Sequence, residues 1–511
     1  MRTGALNQPT TRLTNLGDVL AVTPQIEART AVVDLRGPEP QAISYHDLDR
    51  LAGGVAAFLL RQGLRPGERV AILSLNRVEY LAAYFGIMRA GLVAVPLSYR
   101  FPRNVIDFIF VDAEVRVVFV DADRRNVAPP GCRVIDFDDL GENGFARAIT
   151  PTDRGGVDPA QGAIAEMLYT SGSTGVPKGV PLSHSGQLWA LRRLATPPAD
   201  VAEVTIVAQP LFHMNGIVVS SVALLAGDTI VMQPRFRTGD YVTAIRDYGV
   251  SKVSAVPTMW SRAVQEARAG NADLGSVRWV SLGSAPTSPE LIAATRELLP
   301  DVRLSLSYGT TEAGPAMFGP HPDGIATPDG SIGYPLPDVE IRLEGGQTDQ
   351  GVLMTRTPAV MDAYHRLPDR SAEVLDGGWY NTRDIVRRDD EGFYYFIGRA
   401  DDMFVCAGEN IYPGEVEALL ESHPDIHQAV VVPLPDRDRG HVPAAFIVPR
   451  TGTGLTAAEV KSHALANGAP HLHPRRVAFR TELPLAGTNK VDRHHLLAIA
   501  VELEADQGWA S

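Results

Sequence analysis

At 511 residues the chain is too long for a single hydrophobic core and implies two or three domains. Apolar residues make up 45% and charged residues 21%, as in an ordinary soluble globular protein, and the net charge of −13 argues against nonspecific nucleic-acid binding or an anionic membrane surface. Two distant cysteines, Cys132 and Cys406, argue against a disulfide scaffold or a zinc site. The first residues lack the apolar core of a signal peptide. The most apolar segment, Gly216 to Gly227, is about half of the roughly 20 residues that cross a bilayer, so a cytoplasmic protein is expected.

Residues 43–100 alternate strand and helix patterns. Ile43-Ser44-Tyr45 leads into a helix from Asp47 to Gln62, with Leu48, Leu51, Ala52, Val55, Ala56, Leu59 and Leu60 on one face. Val70 to Leu73 reads as a buried strand, Val78 to Arg89 as a helix ended by Ala90-Gly91, and Val93 to Pro96 and Val117 to Val120 as further strands. Helices between buried apolar strands point to a doubly wound sheet.

The apolar run Ala163 to Tyr169 reads as a strand leading into Thr170-Ser171-Gly172-Ser173-Thr174-Gly175-Val176-Pro177-Lys178-Gly179, with a helix expected from Gln187 to Ala195. Glycines let the backbone turn tightly and approach a ligand, and successive N–H groups form a concave anion site. Hydroxyls add neutral donors and Lys178 a mobile charge. The set suits a polyphosphate. The Walker loop has its lysine directly before Ser or Thr, whereas here Pro177 and Gly179 flank the lysine.

Val204 to Val207 reads as a strand before Gln209-Pro210-Leu211-Phe212-His213-Met214-Asn215-Gly216. A lone histidine such as His213 is ordinarily a structural hydrogen-bonder. Val253 to Val256 precedes Pro257 and Trp260, a tryptophan that suits either the core or a pocket wall. A strand from Val277 to Leu282 ends in Gly283-Ser284-Ala285-Pro286, small residues that either admit a flat ligand or mark a turn. After Leu304-Ser305-Leu306-Ser307 comes Tyr308-Gly309-Thr310-Thr311-Glu312-Ala313-Gly314. Tyr308 can stack on a purine, Thr311 can donate to a phosphate, and Glu312 can hold Mg²⁺.

Ser331 to Pro335 and Gly351 to Met354 read as turns and strands of a β-rich subdomain. Arg387 to Phe396 reads as a hairpin with its turn at Asp389-Asp390-Glu391-Gly392. Pro413 opens a helix with Val416, Leu419 and Leu420 on its apolar face, and His423-Pro424 stops it. Gln428 to Val432 and Ala444 to Val448 read as strands, and Thr456-Ala457-Ala458-Glu459 as a capping box.

Several motifs, in this order, resemble those of the adenylate-forming superfamily of acyl-CoA synthetases, peptide-synthetase adenylation domains and luciferases. They are the loop Tyr169–Gly179, the run Tyr308-Gly309-Thr310-Thr311-Glu312, Asp384 after Trp379-Tyr380-Asn381-Thr382-Arg383, and Gly487-Thr488-Asn489-Lys490 near the end. The resemblance covers nearly the whole chain. It implies that Thr170, Ser171, Gly172, Ser173, Thr174, Gly175 and Lys178 hold the phosphates of ATP. Gly283, Ser284 and Ala285, with Tyr308, Gly309 and Thr310, would hold adenine; Asp384 would hold the ribose hydroxyls, and Arg399 the ribose and phosphate. Thr311 and Glu312 would act on phosphate and Mg²⁺, and Lys490 would be the catalytic lysine. His213, Met214, Asn215, Gly216, Trp260 and Gly309 would line the acid pocket, with His213 also counted among the catalytic residues beside Lys490, Thr311 and Glu312. Asp401 resembles a hinge, and Ala407, Gly408 and Glu409 a loop lining the tunnel for the pantetheine of CoA. Arg475 either contacts CoA phosphates or lies on a solvated basic face. Two residues depart from the family pattern: Asn489 and Ala407 stand where most or many members have glycine.

The expected fold is α/β. Residues 1–400 form a large domain of doubly wound sheets plus a β-rich subdomain, and residues 401–511 a small mobile α+β domain. The expected activity is an ATP-dependent carboxylic acid:CoA ligase that works through an acyl-adenylate, with Mg²⁺, and homodimers are common among such enzymes. Alternatives are loading of a carrier-protein pantetheine, an acyl-AMP ligase without a thiol step, and a nucleotide-binding regulator without chemistry. The pocket residues fit aryl, short-chain or medium-chain acids alike.

Overall fold

The computed structural model describes residues 13–20, 24–142, 144–170, 177–196, 198–199, 201–270, 272–407, 409–450, 452–485, 491–506 and 508–510. Among them, the apolar runs Arg69–Leu73, Val93–Pro96 and Val117–Val120 pair in parallel, with Arg133–Asp136 and Ile164–Thr170 outside them. Near-continuous Val, Ile and Ala suit strands covered on both faces. Lys178–Ser183 then turns back antiparallel along Ile164–Thr170 and closes that edge.

A second sheet runs in the order Arg303–Ser307, Trp279–Gly283, Lys252–Ala255, Val204–Val207, Thr229–Met232, Thr30–Asp34, Gln41–Ser44. All its neighbours are parallel except the last pair. The two sheets share one core, in which Val32 and Ile230 of one and Val70 and Ile72 of the other meet the helices Tyr45–Arg61 and Val78–Arg89. These helices cross closely at Gly86, where a Cβ would sit 2.6 Å from Ala52 O. Arg89 is buried in this core without loss. Its Nε donates to Gly17 O and its Nη1 to Asp49 O, both at 2.9 Å, and Asp18 and Asp49 balance its charge.

Downstream, Glu340–Gln347, Gln350–Arg356, Trp379–Arg388 and Tyr394–Arg399 form an antiparallel sheet. From Phe404 onward the chain builds a separate core on Gly440–Pro449 and Ile426–Asp436, with Ile411, Val416, Phe446 and Leu496 inside it. Pro413 stands in the first turn of its helix, and the Thr456–Glu459 capping box forms. The architecture is the expected α/β fold, a large domain of parallel sheets followed by a C-terminal α+β domain.

Two helices start earlier than the apolar pattern indicates, for one reason. Ser44 accepts the Asp47 N–H and Ser183 accepts the Gly186 N–H, so the helices run Tyr45–Arg61 and His184–Leu194. Among the described residues, no helix is long and apolar enough to cross a membrane.

Candidate active site

The winding of the second sheet reverses at Val204–Val207. The next strand in sequence, Thr229–Met232, lies on one side of it and the following one, Lys252–Ala255, on the other. Ligands of open α/β sheets bind outside the carboxyl ends of strands at such a reversal. The segment Ala208 to His213 leaves the sheet here, and Asn76, 1% exposed, holds it in place. Asn76 Nδ2 donates to Gln209 O at 2.8 Å and Gln233 O at 3.1 Å, while its Oδ1 accepts the Leu211 N–H at 2.9 Å. Sequence reasoning missed Asn76, which follows the first sheet's strand Arg69–Leu73 by three residues and belongs to no motif.

Beside this segment lies a cavity of about 190 Å³. The helix Met214–Leu225 forms one wall through Val218, Val219 and Val222, and the sheet forms the other through Ser254, Ser281 and Ser307. Asn215, Ser284, Tyr308 and Gly309 line its mouth. Asn215 Nδ2 donates to Ser284 Oγ at 3.3 Å, and Ser284 holds a left-handed φ of +67°. Such a conformation in a non-glycine residue costs of order 1–3 kcal/mol and tends to occur at functional sites.

Of the residues expected to line an acid pocket, Met214, Asn215 and Gly309 line this cavity. Trp260 does not. It is fully buried on the helix Pro257–Gly270, and its Nε1 donates to Thr295 Oγ1 at 2.9 Å. Gly216 is also buried away from the cavity, because a Cβ there would overlap Pro210 O. His213 is the half-buried residue immediately before the helix, its ring 4.6 Å from that of Phe212 and outside the cavity lining. At the end of its strand, Gly283 is small because a Cβ would overlap Ser307 Oγ of the neighbouring strand. Ala285 follows, half buried, in the turn beyond Ser284.

Past the mouth the polar residues interlock. Tyr308 OH donates to Asp384 Oδ2 at 2.6 Å, and Arg399 Nη1 lies 3.3 Å from Asp384 Oδ1. Burial, then the Asp384 charge, pushes the Tyr308 phenol well above its ordinary range. Tyr364 OH donates to Glu312 Oε1 at 2.9 Å, and Lys178 Nζ sits 4.2 Å from the centre of the Tyr364 ring. Burial lowers the Lys178 pKa, and Glu312 opposes that shift. Thr310 Oγ1 accepts the Ala313 N–H at 3.0 Å, and Thr311 lies half buried beside Glu312. Thr170 pairs with Lys178 across the hairpin base, and its buried Oγ1 has no hydrogen-bond partner among the described residues. Tyr364 was not singled out from the sequence, since no motif surrounds it; its place becomes evident only beside Lys178 and Glu312. The loop residues Ser171, Gly172, Ser173, Thr174 and Gly175 lie outside the described residues, as do Gly408 and Lys490 with Asn489.

In the C-terminal part, Asp401 lies in the turn Ala400–Asp402, 3.5 Å from both Arg383 and Arg399. Ala407 occupies the turn between Phe404–Cys406 and Glu409–Ile411 with a left-handed φ of +52°. Its N–H donates to Arg439 O at 3.1 Å, and Glu409 is exposed beside it. Arg475 lies 3.5 Å from His473 Nε2, and burial followed by the Arg439 charge lowers its pKa. Arg476, in contrast, is committed to Glu504 at 2.7 and 2.8 Å.

Among the described residues no group of three or more His, Cys, Asp or Glu is placed to hold a metal. One carboxylate, Glu312, close to Lys178 of the hairpin fits Mg²⁺, which is usually held by one or two carboxylates together with substrate phosphates.

Comparison with known proteins agrees with this geometry. Residues 22–365 match the AMP-binding enzyme family and residues 415–490 the AMP-binding enzyme C-terminal domain. A feruloyl-CoA synthase of Amycolatopsis is 32% identical over 460 residues, 88% of this chain and 92% of that protein. A fatty acid–[acyl-carrier-protein] ligase of Streptomyces coeruleorubidus is 30% identical, over 90% of this chain and 92% of the relative. The crystal structure of an anthranilate CoA ligase in complex with anthranoyl-AMP superposes with a TM-score of 0.87 at 25% identity, covering 96% of this chain and 98% of that one. Fold and site together define an adenylate-forming ligase, and the chain belongs to the AMP-binding enzyme family.

Proposed function

We propose that the protein is an ATP-dependent carboxylic acid:CoA ligase that proceeds through an acyl-adenylate. The observation that carries this reading is the junction at the cavity mouth. A cavity with apolar and polar walls, suited to an acyl group, opens between Asn215 and Gly309 directly onto Tyr308, which leads to Asp384 and Arg399.

In the first half-reaction a carboxylate oxygen at the mouth attacks the α-phosphorus of ATP, and pyrophosphate leaves with the electron pair of the broken P–O bond. Asp384 would accept hydrogen bonds from the ribose hydroxyls, in place of Tyr308 and Arg399. Lys178 and Thr170, at the hairpin base, would meet the phosphates, and Thr311 would donate beside them. Mg²⁺ arriving with ATP would be held at Glu312 and would neutralise phosphate charge. Lys490 would place its ammonium near the carboxylate and α-phosphate. Cations and donors set before charge develops are commonly the largest catalytic term. In the second half-reaction residues 401–511 rotate about Asp401, and the CoA thiol sulfur attacks the acyl carbon and displaces AMP. Arg439, Arg475 and His473, clustered beside the Ala407 turn, suit the CoA phosphates.

The test is incubation with ATP, Mg²⁺, CoA and a pool of acids, with pyrophosphate and thioester masses read in parallel. Lys490→Ala should lower adenylation by about 10²-fold or more while largely sparing thioester formation from supplied acyl-AMP. Equal loss in both steps would refute the division of labour. The similarity to an acyl-carrier-protein ligase favours one second reading, a carrier-protein acceptor. Pyrophosphate release with a thioester formed only on a pantetheinylated carrier would establish it.

A further inference from the structure

Strands buried on both faces of a parallel sheet are normally apolar throughout. Three neighbouring strands here are not. Lys252-Val253-Ser254-Ala255, Trp279-Val280-Ser281-Leu282 and Arg303-Leu304-Ser305-Leu306 pair in register, Lys252 with Trp279 and Arg303, and Ser254 with Ser281 and Ser305. Side chains alternate faces along a strand. One face therefore carries Val253, Val280 and Leu304 into an apolar core, while the other presents charged, indole and hydroxyl groups.

That second face is one wall of the cavity. At the end far from Tyr308, Lys252 Nζ donates to Asp228 Oδ2 at 2.9 Å, and Thr205 and Trp279 adjoin the pair. Asp228 has 6% side-chain exposure and Lys252 21%, so the pair is largely withdrawn from water yet lines a cavity. From Gly283 to Trp279 the strand advances about 13 Å at roughly 3.3 Å per residue. Three backbone bonds span about 3.6 Å, so this distance suits a chain of about ten bonds.

Resting on the ligase reading above, we infer that Lys252 and Asp228 select an acid whose far end carries a hydroxyl group. A hydroxyl accepts from an ammonium and donates to a carboxylate, so it satisfies both members of the pair. A methyl group would strip water from the pair and return no hydrogen bond. A second carboxylate would meet Asp228, and an amine would meet Lys252. Sites built to bond a substrate hydroxyl reject the analogue that lacks it far more strongly than an apolar pocket rejects a change of one methylene.

The test compares acid-dependent pyrophosphate release with 10-hydroxydecanoate, decanoate and decanedioate. 10-Hydroxydecanoate should have a kcat/KM at least about tenfold higher than either of the others, expressed mainly in KM. Lys252→Met should reduce that preference to about twofold or less, because Asp228 alone can no longer offer the hydroxyl a donor. The wild-type comparison stands alone if the variant does not fold. Release that is equal or greater with decanoate would overturn this inference and leave the ligase reading intact. Pyrophosphate release with no acid tested would refute both.

Discussion

The helix wall of the cavity makes the ligase reading quantitative through Val222. Val222 lines the cavity and lies seven residues beyond Asn215, about 10 Å along a helix rising roughly 1.5 Å per residue. Four residues further, Ala226 marks the end of this wall, about 6 Å on. At about 1.2 Å per bond, those 6 Å correspond to about five methylene positions. Each buried methylene contributes about 0.8 kcal/mol, which is about fourfold in kcat/KM. For straight-chain acids the wild-type enzyme should therefore gain about fourfold per carbon until the chain end meets the Lys252–Asp228 pair. Val222→Phe should place a ring across the cavity and remove the distal positions. Acids up to about eight carbons should be nearly unaffected, whereas decanoate should lose about 1.6 kcal/mol, or roughly 15-fold. Pyrophosphate release measured over the series gives both profiles. Parallel rises in the two enzymes, or an equal loss at every chain length, would refute the assignment of this cavity to the acyl group.

Asp384→Asn should weaken ATP binding by about 10- to 100-fold, the range expected when a charged hydrogen-bond acceptor worth about 1.5–3 kcal/mol is lost; calorimetric titration with ATP that shows no change would remove Asp384 from the nucleotide site. Glu166 is 2% exposed, accepts from Tyr84 OH at 2.8 Å, and burial raises its pKa to about 7 from an ordinary 4.5. Both folded and unfolded states are protonated below pH 4.5; between 4.5 and 7 the unfolded chain ionises first, so stability should fall as pH rises, by about 3 kcal/mol in all. Glu166→Gln should flatten the decline in unfolding midpoint between pH 5 and pH 8, and an unchanged slope would show that Glu166 is not its source. Ala407→Gly should relieve about 1 kcal/mol at the left-handed turn, slowing amide hydrogen exchange of Val405 and Asn410 across the hairpin; faster exchange would refute that strain.

The motifs legible in the sequence are the ones built from consecutive residues. The hairpin turn at Asp389–Gly392, the Thr456–Glu459 cap and the helix Val78–Arg89 depend on local backbone chemistry, and the chain adopts them within a residue or two. The family followed from Tyr308–Glu312 and the flanks of the phosphate loop for the same reason. Trp260 and Gly216 show where this stops. A tryptophan after a strand and a glycine in a small-residue run look alike whether they face a ligand or the core, and Thr295 and Pro210 O decided the matter from elsewhere in the chain. Tyr364 and Asn76 gained their places through partners 52 or more residues away.

What the sequence determined by itself was the class of chemistry, because phosphate loops, hairpin turns and caps are contiguous and carry their own backbone geometry. The cavity proposed for the acid was decided by tertiary structure alone. Its polar wall joins Thr205, Lys252, Ser254, Trp279 and Ser281, residues of three strands. Which of their alternating side chains face the cavity depends on strand order and register, and these are set by packing between sheets and helices.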